Sequence, residues 1–271
     1  MLEYFLTLNK DNKREVWKDM IFARYLAHGE VSYGVIDGDL VKELTCSPFE
    51  DFEVTDHIHP LNDVTLLAPC VPGKILAVGL NYRSHLGERE APKEPLIFYK
   101  TTTSLAGPND PIILPKAFPG RVDEEGELVA IIKDKCKNIS KDDALNHVLG
   151  YTCGNDVSAR EWQRGDGQWW RAKASDSFSP VGPYIVTGLD PSNLMLRARV
   201  NGKEVQAETT NMFIFDLPTV ISHVSKSITL EPGDMIYTGT PGSAAQLKEG
   251  DVVEIEIEGI GILSNPVKNE T

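Results

Sequence analysis

Val122-Asp-Glu-Glu-Gly-Glu-Leu-Val-Ala-Ile-Ile132 runs a group of carboxylates straight into an apolar, β-prone segment. In an extended strand side chains two apart share a face, so Glu125 and Glu127 point the same way as Val129 and Ile131. Glu124 falls on the opposite face and drops out of the group. Two like charges on a face that enters the core are unfavourable unless they stay in water, pair with Lys or Arg, take up a proton or hold a cation.

Short strands extend in both directions from this one. Upstream, Lys74-Ile-Leu-Ala-Val-Gly79, Leu96-Ile-Phe-Tyr99 and Pro111-Ile-Ile-Leu-Pro115 read as strands, and Glu88 to Pro95 as a polar, Pro-containing loop. Downstream, Val148 to Cys153 is a strand that breaks at Gly154-Asn-Asp156, and Asp251 to Glu258 alternates Val253, Ile255 and Ile257 with glutamates. Asp37-Gly38 and Asn201-Gly202, each between apolar runs, predict hairpins. Asp216-Leu-Pro opens an amphipathic helix through Val224, with Leu217, Val220 and Ile221 on its apolar face. The expectation is a β-dominated α+β chain. Residues 20 to 70 form a small N-terminal β domain, 71 to 271 a catalytic domain, and 1 to 19 an extension that is either an accessory helix or loose.

The 271 residues carry a net charge of -13, with 27 Lys and Arg against 40 Asp and Glu, which argues against a phosphate backbone or an anionic membrane as the main partner. There is no apolar run of transmembrane length and no signal-peptide pattern at the start, so a cytoplasmic location is expected. Cys46, Cys70, Cys136 and Cys153 show no C-x-x-C pair and no His at zinc spacing.

Asp156 supplies a natural third carboxylate where a second strand ends. Three oxygen ligands without Cys or His suit Mg²⁺, Mn²⁺ or Ca²⁺ rather than Zn²⁺, against the plainer reading of solvated strand ends and a helix cap. Asp156 to Gln163 reads as one or two helical turns, with Asp156, Arg160 and Gln163 on one face and therefore able to recognise an anion. Lys173 sits in a small-residue turn. His85 and Glu88, three apart, could touch in a helical turn and move a proton. Thr238-Gly-Thr-Pro-Gly242 offers N–H groups and the Thr240 hydroxyl to a carboxylate.

Together, Val78-Gly-Leu-Asn-Tyr-Arg-Ser-His85, Val122 to Leu128, Gly150-Tyr-Thr-Cys-Gly-Asn-Asp-Val-Ser-Ala-Arg160, Arg171-Ala-Lys173 with Ser179-Pro-Val-Gly-Pro183, and Leu230 to Pro241 resemble the fumarylacetoacetate hydrolase family. The likeness covers roughly residues 70 to 267. It implies a mixed β-sandwich roll, usually a homodimer, with Mg²⁺ or Mn²⁺ on Glu125, Glu127 and Asp156. It further implies a substrate-facing Lys173 and a His85–Glu88 dyad on a lid that activates water. Thr101 after Lys100 and the Gly242-Ser-Ala-Ala245 loop depart from the family pattern near the expected pocket.

The leading expectation is hydrolysis of a carbon-carbon bond in a 2,4-dioxo acid of acylpyruvate or fumarylpyruvate type, releasing pyruvate. Second stands a 2-hydroxyhepta-2,4-diene-1,7-dioate isomerase or an oxaloacetate decarboxylase, which the absence of a water-activating dyad would favour. A non-catalytic, metal-stabilised binding protein is third.

Overall fold

The computed structural model describes residues 19–118 and 120–271. The expectation for residues 1 to 19 falls, apart from Asp19, outside them.

The hairpin Gly126–Ile132/Val148–Asn155 is the centre of the molecule. Every residue of Gly126–Ile132 is buried, as a strand covered on both faces must be. Alternate side chains serve two cores. Leu128, Ala130 and Ile132 join Val220, Ile221, Val224, Val253 and Ile255 on one side. Val129 and Ile131 join Phe22, Ile75, Met235 and Tyr237 on the other, and Glu127 shares their face.

Among the described residues this hairpin sits inside a twelve-stranded mixed sheet. Its main path runs Val54–Pro60, Leu40–Leu44, Glu30–Asp37, Ile21–Ala27, Ser179–Val186, Val148–Asn155, Gly126–Ile132, Met235–Tyr237, Ile75–Gly79 and Leu96–Lys100. Met235–Tyr237 and Ile75–Gly79 pair in parallel; the other neighbours on that path are antiparallel. A second sheet, Lys203–Thr209, Met195–Val200, Val252–Ile257, Gly261–Asn269 and Ile112–Leu114, packs its apolar face on the first core. The chain is strand-dominated, as its residues predict, and its two packed sheets form the roll that the resemblance implies. The N-terminal strands are hydrogen-bonded into the large sheet, with Ile21 opposite Val186 and Phe22 opposite Ile185.

Local chemistry explains the turns. Asn201 and Gly202 both have positive φ, 52° and 75°, as a two-residue hairpin turn of this kind requires. At the other hairpin Asp37 pairs with Leu40, so the turn residues are Gly38 and Asp39, one later than the Asp-Gly spacing suggests; Gly38 takes the positive φ of 60°. The helix Leu217–Ser227 begins where expected, with the Asp216 carboxylate accepting the Thr219 N–H at 3.0 Å.

Two expected elements differ. Ser158–Ala159 is extended and pairs with Val122–Asp123, so the following helix begins at Arg160 and excludes Asp156. Lys173 belongs to a short helix, Trp170–Ala174, rather than to a turn. No helix among the described residues is long and apolar enough to cross a membrane.

Candidate metal centre and active site

The site lies at the open end of the central hairpin. Asn155 Oδ1 accepts the Glu125 peptide N–H at 2.9 Å, and the Glu125 carbonyl accepts the Asp156 N–H at 2.8 Å. These bonds lock the two carboxylate-bearing segments together. In Gly154-Asn-Asp156, therefore, Asn155 staples the backbone and Asp156 presents the functional group. Gly154 is fixed by packing, because a Cβ there would lie 2.4 Å from Val129 and 2.6 Å from the Tyr237 ring.

Glu125, Glu127 and Asp156 each offer a carboxylate oxygen, and these atoms lie within 4.8 Å of one another. All three side chains are buried, at 3%, 1% and 1% exposure. Lys173 Nζ bridges two of them, 2.5 Å from Glu125 Oε2 and 2.6 Å from Asp156 Oδ2. Lys100 Nζ, also buried, donates to Asp156 Oδ1 at 2.5 Å and to the Phe178 carbonyl at 2.9 Å. Arg160 reaches Glu125 rather than Asp156: its Nη2 lies 2.7 Å from Glu125 Oε1, its Nε 2.7 Å from Asp123 Oδ2, and its Nη1 3.0 Å from Gln163 Oε1. The guanidinium is thus committed to holding Glu125.

The charges sort the three acids. Burial would raise Glu125, but Lys173, Arg160 and His85 outweigh it and hold the carboxyl well below the usual range. Glu127 is pushed the other way, by burial and then by Asp156 and Glu125. Burial also opposes the charge on Lys173, yet Asp156 and Glu125 keep it a firm ammonium. For Lys100 burial prevails over Asp156 and lowers it. Glu124 is buried on the far side, accepts the Ala245 N–H at 2.8 Å, and is pushed up to about 8 by burial.

Glu127 tests whether a cation fits. No Lys, Arg or His among the described residues forms an ion pair with it; it accepts the Gly239 N–H at 2.7 Å. A buried carboxylate beside two others with no cationic partner, in an all-oxygen donor set, is what a hard divalent cation such as Mg²⁺ or Mn²⁺ requires.

His85 stands on a one-turn helix, Arg83–Leu86, entered through Leu80 at φ 58°. Its Nδ1 lies 2.7 Å from the Gly242 carbonyl, which can only accept, so Nδ1 carries the proton. Nε2, 3.6 Å from Glu125 Oε1, is left able to exchange one. Glu88 is not brought to His85. The helix ends at Leu86, Gly87 turns the chain at φ 61°, and Glu88 emerges exposed, so the three-residue spacing that would pair them in a continuous helix is lost.

A cavity of about 390 Å³ is lined by the three carboxylates, His85, Lys173, Arg160, Gln163 and Thr240. The Thr240 hydroxyl accepts from Gln206 Nε2 at 2.9 Å, which leaves its own hydrogen to donate. Leu96, Phe98 and Trp169 form an apolar wall, with the last two rings edge-on at 5.3 Å, and Arg89 and Arg164 add cationic groups. The sequence reading did not assign Lys100, Gln206, Phe98 or Trp169 to the site. The cues for Lys100 are a lysine ending an apolar strand and its place beside Thr101, where the resemblance puts the pocket; nothing local marks the aromatic pair.

Residues 74–268 match the family described as fumarylacetoacetate (FAA) hydrolase C-terminal, and residues 20–69 one described as Rv2993c-like, N-terminal. An oxaloacetate tautomerase of Xenopus laevis is 45% identical over 78% of this chain and 70% of its own. The crystal structure of 5-carboxymethyl-2-hydroxymuconate delta-isomerase from Mycobacterium smegmatis is 44% identical, covers 93% of this chain and 100% of that one, and superposes with a TM-score of 0.88. A maleylpyruvate hydrolase from Sphingobium sp. SYK-6, in complex with manganese(II) and pyruvate, is 29% identical with a TM-score of 0.79, covering 93% and 100%.

Proposed function

Because this chain belongs to the fumarylacetoacetate hydrolase family, we propose that it is a divalent-metal-dependent enzyme that moves a proton beside the 2-oxo group of a small 2-oxo acid, as a keto–enol tautomerase or double-bond isomerase. One observation carries the choice within the family: His85 faces the site with Nε2 available, while Glu88 is exposed and unpaired with it. On this reading His85 alone handles the proton, and Glu88, exposed beyond Gly87, takes no part. The similarity to a tautomerase and an isomerase supports the same reading.

Glu125, Glu127 and Asp156 would hold Mg²⁺ or Mn²⁺, which when bound supplies Lewis-acid polarisation of the substrate's carboxylate and 2-oxo oxygens. His85 Nε2 takes or returns the proton at the carbon next to the 2-oxo group, with the ring held by Gly242. The Lys173 ammonium, kept protonated by two carboxylates, offsets negative charge developing on the 2-oxo oxygen. Gln163, whose oxygen is taken by Arg160, has its amide N–H groups left for the substrate, and the Thr240 hydroxyl donates to it as well. The Phe98–Trp169 wall covers the substrate's carbon chain.

Hydrolysis of an acylpyruvate is the second reading, favoured by Glu88 lying just beyond the Arg83–Leu86 helix and by the likeness to the maleylpyruvate hydrolase. Decarboxylation of oxaloacetate would use the same proton-handling groups. Pairing of two chains into a homodimer is part of the proposal and is checked by sedimentation.

The experiment is a panel of enol oxaloacetate, a 2-hydroxy-dienedioate, fumarylpyruvate and acylpyruvates, assayed with Mg²⁺ or Mn²⁺ and after chelation. Metal-dependent acceleration of ketonisation or isomerisation, retained in Glu88→Gln and lost in His85→Gln, is the expected result. Pyruvate release from acylpyruvates, abolished by Glu88→Gln, would move the assignment to hydrolysis; no turnover of any 2-oxo acid would overturn the enzyme reading.

A further inference from the structure

The connection between the two strands of the central hairpin, residues 133 to 147, lies at the end opposite the active site. Seven residues of strand, at about 3.3 Å each, separate the two ends by roughly 20 Å. A second group of metal-binding side chain types meets there. A carboxylate oxygen of Asp134, Cys136 Sγ and a ring nitrogen of His147 lie within 4.8 Å of one another.

The scaffold under them is fixed by backbone bonds. Cys136 and Leu230 exchange both N–H···O bonds at 2.9 Å, and the Lys133 N–H donates to the His147 carbonyl at 2.8 Å. Each nitrogen of the His147 ring faces a carboxylate, Nδ1 lying 2.5 Å from Asp134 Oδ1 and Nε2 3.3 Å from Asp143 Oδ2. A carboxylate on one imidazole nitrogen while the other serves a metal is the usual way a ligating histidine is oriented. The second Asp134 oxygen lies 3.8 Å from Lys133, whose ammonium donates to the Asn146 carbonyl. Cys136 is 5% exposed, whereas His147, Asp134 and Asp143 border solvent, so an ion could enter and keep water on an open position.

We propose that Asp134, Cys136 and His147 form a second divalent-metal site, of Zn²⁺ type, with Asp143 orienting the imidazole. Sulfur and nitrogen donors separate it from the all-oxygen centre at Glu125, Glu127 and Asp156, which favours harder ions. Binding replaces the thiol proton, which is released to solvent. The bound ion clips together the chain connection of the hairpin whose far end carries the catalytic carboxylates.

Co²⁺ titration of the chelator-treated full-length protein tests this. A thiolate-to-cobalt charge-transfer band is expected, which an all-oxygen centre cannot give. It should vanish in Cys136→Ser while cobalt still binds elsewhere, and His147→Gln should need at least about tenfold more metal to produce it. Zn²⁺ should raise the wild-type melting temperature by about 5 °C more than that of Cys136→Ser, in which only the carboxylate centre is left to bind it. Absence of the band in the wild type, or a band that survives Cys136→Ser, overturns the proposal. If Cys136→Ser does not fold, Asp134→Asn and His147→Gln decide: unchanged cobalt affinity in both would also overturn it.

Discussion

Replacing Glu127 with Gln separates metal binding from folding. Glu127 is buried, forms no ion pair among the described residues, and its oxygen lies within 4.8 Å of oxygens on Glu125 and Asp156. A like-charge pair at that separation costs about 3.5 kcal/mol at an effective dielectric near 20. Burial, Asp156 and Glu125 raise the folded-state carboxyl well above its ordinary value, so without metal Glu127 binds a proton on folding. Its share of stability is full below the ordinary carboxylate range and is lost as pH rises from there towards the raised value. Chelated wild type should therefore weaken from pH 5 to 8. Glu127→Gln, which keeps an oxygen for the Gly239 N–H, should be flatter with pH and about 1–3 kcal/mol more stable at neutral pH, because Lys173 offsets part of the repulsion. Added Mn²⁺ at about 100 times its dissociation constant should stabilise wild type by about 2.7 kcal/mol and the variant by far less. Urea unfolding with chelator and with Mn²⁺ measures both. A chelated variant less stable than wild type, or one stabilised equally by Mn²⁺, would refute the reasoning.

Lys173→Met should cost about 3–5 kcal/mol without metal, because it leaves Glu125 and Asp156 buried without their shared ammonium, and should lower turnover about 10²-fold or more even with metal; denaturation and steady-state kinetics read the two effects. Gly154→Ala, whose new methyl would press on Val129 and Tyr237, should destabilise by about 1–3 kcal/mol in the same unfolding assay. Gly79→Ala places a methyl 3.1 Å from the Trp169 ring and 3.3 Å from Leu96 on the cavity wall. It should raise KM several-fold while calorimetric Mn²⁺ affinity stays unchanged.

Features fixed by neighbours in sequence were legible before folding. The turn residues Asn201-Gly202, the Asp216 cap and the alternation of Val253, Ile255 and Ile257 each carry their own physical reason, and each appears in the structure. Strand periodicity puts Glu125 and Glu127 on one face, and Glu125, one residue before the strand Gly126–Ile132, is held there by its backbone bonds to Asn155 and Asp156. What required the folded chain was long-range. Asp156 lies outside the helix because Ser158–Ala159 pairs with Val122–Asp123, a contact that local propensity does not encode. Arg160 is drawn to Asp123 and Glu125 by that same pairing. The His85–Glu88 spacing presumed a continuous helix, and Gly87 ends it. Lys100 meets Asp156 across the sheet, while Cys136 and His147, unremarkable by spacing, meet only because the hairpin connection folds back on itself.

The most direct measurement is anomalous diffraction from crystals grown with Mn²⁺. The account expects one strong peak bonded to carboxylate oxygens of Glu125, Glu127 and Asp156, at about 2.0–2.4 Å from each. No peak at that position, or a Mn²⁺ there without Glu127 among its ligands, would contradict it.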